Sequence, residues 1–196
     1  MANANAAFGF RPIFRDGSPY NGATLRCVML AADTTATFIG DPVGLDGQAS
    51  SEGYPSVTQA AAGEPVFGVV TSFEANPDSL SDQYRKASTK RFCQVTPADG
   101  TYFEVQSDDD TTALAEIMVG SNADYIVAAG STAYGISGAE LDSDSAATTS
   151  TLDLQIVGLV DRADNLHSGT GSGNKNVIVK FNDPQNKPFR TGQAIS

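Results

Sequence analysis

The sequence contains no tryptophan, a single histidine and only two cysteines, and these scarcities exclude several kinds of site. One histidine with Cys27 and Cys93, 66 positions apart, does not complete the common four-ligand zinc sets. Both cysteines lie in apolar runs, which favours buried reduced thiols over a disulfide. There is neither an 18-residue apolar stretch nor a basic and apolar leader, so we expect a soluble protein that is not secreted and does not bind membranes.

Positive charge is also scarce, with 12 Lys and Arg against 23 Asp and Glu and a net charge of −11. This balance argues against direct nucleic-acid binding, which needs an excess of cations facing phosphates. The charge is uneven: residues 1–30 carry +2, residues 175–196 carry +3 and the part between them carries −16. The two basic ends are compatible with docking on an acidic protein surface, although chance would also produce so small an asymmetry.

No catalytic, cofactor-binding or metal-binding pattern is complete, so the sequence predicts a protein that is not an enzyme. His167 lies beside Ser168 and near Asp164, but no G-x-S-x-G elbow is present, which favours an exposed loop histidine. The run GTGSGNK lacks the phosphate-loop pattern and is more typical of a hairpin loop. The acidic runs SDDD and ELDSDS lack the EF-hand spacing for Ca²⁺ and favour solvated loops.

Short runs rich in Val, Ile, Phe, Tyr and Thr, separated by turn residues, predict an all-β protein with an antiparallel barrel or sandwich-like body. The expected strands are 24–30, 65–74, 91–96, 102–106, 124–129, 152–160 and 176–182. In GEPVFGVV we expect Val66, Gly68 and Val70 to share one face of a strand. At most one or two short helices are expected, with 78–88 the main candidate for a helix or a structured loop.

The expected organisation is a β-rich body over residues 24–182 between an extended N-terminal arm, 1–23, and a C-terminal arm, 183–196. In an extended arm Phe8 and Phe10 face the same side, because Gly9 separates them. Arg11 is suited to pair with a partner carboxylate and Pro12 to hold the arm extended, with Arg15 just beyond. Two alternatives stay open: the rings fill pockets on a neighbouring molecule, or they fold onto the protein's own core.

Several stretches, in order along most of the chain, resemble capsid decoration (cement) proteins of tailed double-stranded DNA bacteriophages. They are MANANAAFGFRP, SPYNGAT, FIGDPVGL, GEPVFGVVTSFEANPDSLSDQYRKAST, ADYIVAAGSTAYGISGAELDS and LQIVGLVDRADN. The resemblance implies a structural virion protein that coats the outer surface of an icosahedral head after its synthesis in the host cytoplasm. Its implied partners are the major capsid protein and further copies of itself, with a homotrimer favoured and a homodimer possible. It implies no catalytic residues.

A basic cluster in the acidic middle, made of Arg85, Lys86, Lys90 and Arg91, is a second candidate interface, and a solvated strand end is the alternative. Two other functions compete with head decoration. One is a receptor- or glycan-binding β module of a phage fibre or head, for which Tyr134 is the best loop aromatic. The other is a small hydrolase that uses His167.

Overall fold

The computed structural model describes residues 3–168 and 173–185, and these residues are nearly all in strands, turns and loops. None of the described helices is both long and apolar enough to cross a membrane. The strands are β1 (Arg11–Arg15), β2 (Ser18–Pro19), β3 (Leu25–Met29), β4 (Pro42–Ala49), β5 (Pro55–Gln59), β6 (Gly68–Phe73), β7 (Arg91–Pro97), β8 (Thr101–Gln106), β9 (Asn122–Ala123), β10 (Tyr125–Ser131), β11 (Ile136–Leu141), β12 (Leu154–Leu159) and β13 (Asn176–Phe181).

Five of these strands close into a barrel in the order β3-β5-β4-β6-β7. Every neighbouring pair in the barrel is antiparallel except β3 and β5, which run parallel. A ring with an odd number of strands cannot alternate direction all the way round, so one parallel pair is unavoidable. The expected all-β barrel is therefore confirmed, with this one departure from a purely antiparallel arrangement.

The remaining strands form two sheets beside the barrel. A six-stranded antiparallel sheet has the order β2-β1-β8-β13-β12-β9, and β10 pairs with β11 in a separate hairpin. The hairpin is attached at both ends, because Ile39 bridges Ile136 and Ser107 bridges Leu141. The chain enters the barrel once, between β2 and β3, and leaves it once, between β7 and β8, so strands from both ends of the chain form the sheets beside it.

All seven strands expected from the sequence are present, with ends shifted by a few residues. Polar or glycine-rich strands were missed, including β5 and β11, because their composition is typical of turns. The segment 78–88 is a structured loop, and the only helical turns among the described residues are the 3-10 turns Glu116–Met118 and Ser143–Ser145.

Two hydrophobic cores organise the molecule. One fills the barrel and contains Cys27, Met29, Val43, Val57, Phe67, Val70, Cys93 and Val95. The other lies between the barrel wall and the sheets and includes Phe10, Val66, Val69, Phe103, Tyr125 and Phe181. The expected common face for Val66 and Val70 is wrong, since they belong to different cores. Strand β6 begins only at Gly68, so its two-residue period does not extend back to Val66.

The N-terminal segment is part of the body, which corrects the prediction of an arm outside it over residues 1–23. Strand β1 pairs with both β2 and β8 inside the six-stranded sheet. Before it, the Asn3 side chain exchanges two hydrogen bonds with the backbone of Leu166, at 3.0 and 2.6 Å. The expected C-terminal arm begins on the body, where the Gln185 N–H donates to the Val66 carbonyl at 2.7 Å. Residues 186–196 of that arm lie outside the described residues.

Phe10 fills a pocket of its own chain, so its predicted role as an anchor for a neighbour is wrong. Its ring is 2% exposed and meets Phe181, Tyr125 and Phe103 at centroid distances of 5.2, 5.7 and 6.3 Å. The contacts with Tyr125 and Phe103 are edge-to-face, the favourable geometry for aromatic rings. Of the two alternatives left open by the sequence, the protein's own core is the correct one for this ring.

Phe10 is positioned where the backbone at Gly9 passes close to the backbone at Gly40, a contact that we call the crossing of Gly9 and Gly40. The Phe10 N–H donates to the Gly40 carbonyl at 2.9 Å. Gly9 has φ +71, and a Cβ there would lie 2.6 Å from the Ser137 Cβ and 2.7 Å from the Gly40 oxygen. A larger residue at position 9 would push the two segments apart, so the entry of Phe10 into the core depends on this glycine.

We expect Phe10→Ala to lower the free energy of unfolding by about 3–5 kcal/mol, because it removes a buried aromatic ring from a close-packed core. Phe8→Ala, which truncates a half-buried ring, is the matched control and should cost about 1 kcal/mol or less. Urea unfolding followed by circular dichroism measures both. Equal costs at the two positions would contradict the assignment of Phe10 to the core.

A buried carboxylate, Asp41, lies where the barrel meets the hairpin. It is fully buried, and its Oδ2 accepts hydrogen bonds from the Phe38 N–H and the Gln59 amide, both at 2.8 Å. Burial raises the pKa of Asp41, and the hydrogen bonds donated by Phe38 and Gln59 only partly oppose that shift. The folded state therefore holds a proton on Asp41 more tightly than the unfolded chain does.

Asp41→Asn should stabilise the protein increasingly as the pH rises. A raised folded-state pKa means that wild type loses stability as the pH increases from the ordinary aspartate pKa of about 3.9 through the raised value. The asparagine does not titrate, and its Oδ1 can still accept from Phe38 and Gln59. Urea unfolding of both proteins between about pH 3 and pH 7 should show a difference that grows in favour of the variant. A difference independent of pH would refute this explanation.

Candidate interaction surface

A partly apolar groove of about 410 Å³ lies where β1, the barrel and the hairpin β10–β11 meet, and we call it the Phe8 groove. Its lining residues are Phe8, Phe10, Arg11, Pro12, Tyr20, Ile39, Gly40, Val70, Thr71 and Ile136. Four of the five residues predicted as partner contacts from the N-terminal stretch are therefore brought together here. A concave surface with apolar walls and a few polar groups is typical of binding sites.

The crossing of Gly9 and Gly40 holds the groove open, because it fixes the N-terminal segment against the barrel. The buried ring of Phe10 forms the floor, while the half-buried ring of Phe8 stays at the surface. Tyr20 closes one side, and its hydroxyl hydrogen-bonds the Thr96 hydroxyl at 2.7 Å. The Phe8 groove is thus built on strands and close packing, so its shape exists before any partner binds.

Arg11 supplies the charge of the Phe8 groove. Its guanidinium stacks over the Phe8 ring at 4.5 Å from the centroid, and the side chain is exposed. Among the described residues, no carboxylate forms a salt bridge with Arg11. A planar cation held by an aromatic ring keeps its outward N–H groups for a partner and is pre-organised to meet a carboxylate.

Pro12 and Arg15 complete the predicted N-terminal set. Pro12 lies in β1 opposite Phe103, just before an irregularity in the register with β8. Arg15 is outside the Phe8 groove; it forms a 3.5 Å salt bridge with Asp16 and donates to the Ala23 carbonyl at 3.4 Å. Because Arg15 already has partners within the chain, it is a weaker candidate contact than Arg11.

The second predicted interface is only partly a surface, because Arg85 is completely buried. Its guanidinium donates to the carbonyls of Leu30 and Asp33 at 2.7 Å, of Thr89 at 2.9 Å, and of Thr35. It also forms a 3.1 Å salt bridge with the Asp33 carboxylate. Arg85 holds the loops 30–35 and 85–89 together, so its prediction as a contact residue is wrong.

Arg91 is also internal, with 9% of its surface exposed. It donates to the backbone carbonyls of Glu74 at 3.1 Å and Asp82 at 2.7 Å, and to that of Tyr84. Arg91 satisfies carbonyl groups within the loop between β6 and β7, whereas Arg85 ties that loop to the loop 30–35. The five N–H donors of arginine suit both roles. The two arginines account for the order of the segment that the sequence suggested as a short helix.

The two lysines of the same cluster are at the surface. Lys86 forms a 2.7 Å salt bridge with Asp82, and Lys90 pairs with Glu52. The lysine side chains are 51% and 40% exposed, so these pairs contribute little to stability. The basic cluster therefore presents two lysines, each with an acidic partner in its own chain.

Six groove residues were missed as site residues by sequence reasoning, and three of them are aliphatic: Ile39, Val70 and Ile136. They come from separate parts of the chain, and Ile136 lies in a run, GSTAYGISG, that is typical of a turn. No linear pattern joins these residues, so only the tertiary structure could identify them.

The described residues show no assembled catalytic or metal centre. The His167 imidazole lies 3.0 Å from the Val160 carbonyl, and within the described residues no hydrogen bond joins it to Ser168 or Asp164. Nowhere in the described parts of the chain do three or more metal-ligating side chains form a group suited to a metal ion. The run GTGSGNK falls in the connection between the antiparallel strands β12 and β13. Its first four residues, 169–172, lie outside the described residues.

Comparison of the chain with protein-family models, curated proteins and solved structures finds no match in any of the three. The surface must therefore be interpreted from its own chemistry: an apolar groove, an aromatic ring at its edge and a cation without an ionic partner among the described residues.

Arg85→Lys should lower the free energy of unfolding by about 3 kcal/mol, because one ammonium group cannot satisfy all the buried carbonyls that the guanidinium reaches. Lys86→Ala, at the next position, should change it by about 0.5 kcal/mol or less. Chemical denaturation of the two variants tests this contrast. If Lys86→Ala were the more destabilising change, the structural role assigned to Arg85 would be incorrect.

Proposed function

We propose that the protein is a structural head-decoration protein that binds the outer surface of an icosahedral phage capsid and joins neighbouring major capsid protein subunits. The observation that carries the proposal is the Phe8 groove, where Arg11 stacks on Phe8 and forms no salt bridge with a carboxylate in the described part of the chain. It is supported by the resemblance of the sequence to decoration proteins, and the function needs no catalytic centre.

The structure favours a particular way of binding. Both end strands of the six-stranded sheet, β2 and β9, are only two residues long, and β2 contains Pro19. Short edges with proline are poor templates for an added strand. We therefore infer that a capsid segment contacts this protein through side chains placed in the Phe8 groove and a carboxylate at Arg11, rather than by extending the sheet.

The charge distribution supports a localised contact. The protein has a net charge of −11, so an acidic capsid surface would repel most of it. Arg11 is a positive group on the edge of an apolar groove, where it can meet a single carboxylate while the Phe8 ring provides apolar contact. One such contact is weak. Many copies on a shell, and oligomers with several grooves, would together bind strongly. We favour a homotrimer, with a homodimer as the alternative.

Binding to undecorated, expanded heads tests the proposal. Wild-type protein should sediment with the heads, and Arg11→Glu should reduce the bound fraction at least about tenfold, as expected for loss of an interface charge pair. Lys86→Glu is the matched control, since it changes the net charge by the same amount away from the Phe8 groove. It should bind like wild type. Circular dichroism confirms that each variant is folded.

Two results would refute parts of the proposal. If wild type does not sediment with heads at any salt concentration, the head-decoration function is wrong. If Arg11→Glu and Lys86→Glu weaken binding equally, the protein binds through overall charge or through the lysine cluster, and the Phe8 groove is not the contact.

One observation favours a second function, the binding of a glycan or receptor. Tyr134, at the tip of the hairpin β10–β11, is 73% exposed, and an exposed aromatic face can stack on a sugar ring. Tyr134→Ala distinguishes the two functions. It should leave head binding unchanged if decoration is the function, and it should abolish binding to a glycan array if sugar recognition is the function.

A further inference from the structure

The two cysteines of the chain lie opposite each other in the barrel wall. Cys27 on β3 is the direct cross-strand partner of Cys93 on β7. Both are free thiols, both are completely buried, and both belong to the core inside the barrel. The sequence, which separates them by 66 positions, gave no reason to expect that they are neighbours.

This placement suits a covalent bond. Residues directly opposite in an antiparallel pair have Cα atoms about 4.5–5.5 Å apart. Disulfides join Cα atoms about 4.4–6.8 Å apart, so no backbone movement is required by this distance. Because both side chains point into the same core, the two sulfur atoms are also on the same side of the sheet.

We propose that Cys27 and Cys93 form a latent disulfide site that closes the barrel covalently when the protein meets a peroxide oxidant. Strands β3 and β7 are the first and last barrel strands along the chain, and they are hydrogen-bonded neighbours. The three other barrel strands lie between the two cysteines in sequence. One disulfide would therefore enclose all of them in a single covalent ring.

The chemistry requires hydrogen peroxide or an organic peroxide as the oxidant. The thiolate of one cysteine attacks the peroxide O–O bond, giving a sulfenic acid and releasing water or an alcohol. The second thiol then displaces the hydroxyl group from that sulfur, forming the S–S bond and releasing water. Each disulfide consumes one peroxide, which is reduced by two electrons while the two thiols are oxidised.

Burial controls how fast the site reacts. It raises the pKa of Cys27 to about 11 and raises that of Cys93 as well, so little thiolate exists near neutral pH. A closed barrel also excludes the oxidant. The reaction should therefore be slow in the native state, and urea below the unfolding transition should accelerate it by opening the seam between β3 and β7.

The test is oxidation of the folded full-length protein with hydrogen peroxide, followed by denaturation, alkylation of remaining thiols and intact mass measurement. We expect a monomer that is lighter by two hydrogen atoms and carries no alkyl group. Its thermal midpoint should rise by about 5–15 °C, because the bond constrains a long loop in the unfolded state. Reduction with dithiothreitol should restore the original midpoint.

The control variants Cys27→Ser and Cys93→Ser should each lack the intramolecular bond and show no rise in midpoint after peroxide. Recovery of wild-type protein with two alkylated thiols, with added oxygen atoms, or as disulfide-linked dimers would overturn the proposal. So would a bond that lowers the thermal midpoint, since it would show that the barrel does not accept it. Because the mass measurement uses wild type, it is decisive even if a serine variant does not fold.

Discussion

The burial of the Phe10 ring is the interaction on which the rest of this structure depends. It places an N-terminal residue against Phe103, Tyr125 and Phe181, which come from β8, β10 and β13. Those strands belong to the six-stranded sheet and to the hairpin, and the Phe10 N–H also bonds to Gly40 beside the barrel. Phe10 thus joins the sheet and the hairpin through its ring and reaches the segment that leads into the barrel through its backbone N–H. Phe8 and Arg11, on either side of Phe10 in the sequence, are thereby placed in the lining of the Phe8 groove.

This anchoring changes how the protein can bind a partner. A free arm loses conformational entropy when it docks, and that loss weakens the complex. Here Phe8 and Arg11 are already held by a glycine crossing and by the cation–π contact between them. Binding through the Phe8 groove would need little further ordering. A pre-formed contact of modest size, repeated over many copies, is what the proposed head-decoration function requires.

The barrel and the segment between β6 and β7 are stabilised in different ways. Hydrophobic residues on alternating positions build the barrel core, but the long segment between β6 and β7 has few apolar residues to bury. Arg91 takes the place of a core there by hydrogen-bonding backbone carbonyls of the segment, and Arg85 links the segment to the loop 30–35. A basic cluster in the sequence is therefore mainly an internal scaffold, and its lysines alone remain at the surface. The residue types identified a positively charged cluster. Only the burial of Arg85 and Arg91 shows that their charge is used inside the protein.

The sequence by itself determined the all-β class, the seven most apolar strands and the burial of the two cysteines, because composition and two-residue periodicity act locally. It also placed Arg11 and Phe8 in one short stretch. The tertiary structure decided what depends on distant pairing: the parallel β3–β5 contact, the glycine-rich strand β11, the neighbouring positions of Cys27 and Cys93, and the destination of Phe10. Phe8 and Phe10 have the same chemistry and nearly the same neighbours in sequence. Their different roles arise because Gly9 turns the backbone between them with φ +71, and Phe10 is the ring that packs against Phe103, Tyr125 and Phe181 from β8, β10 and β13.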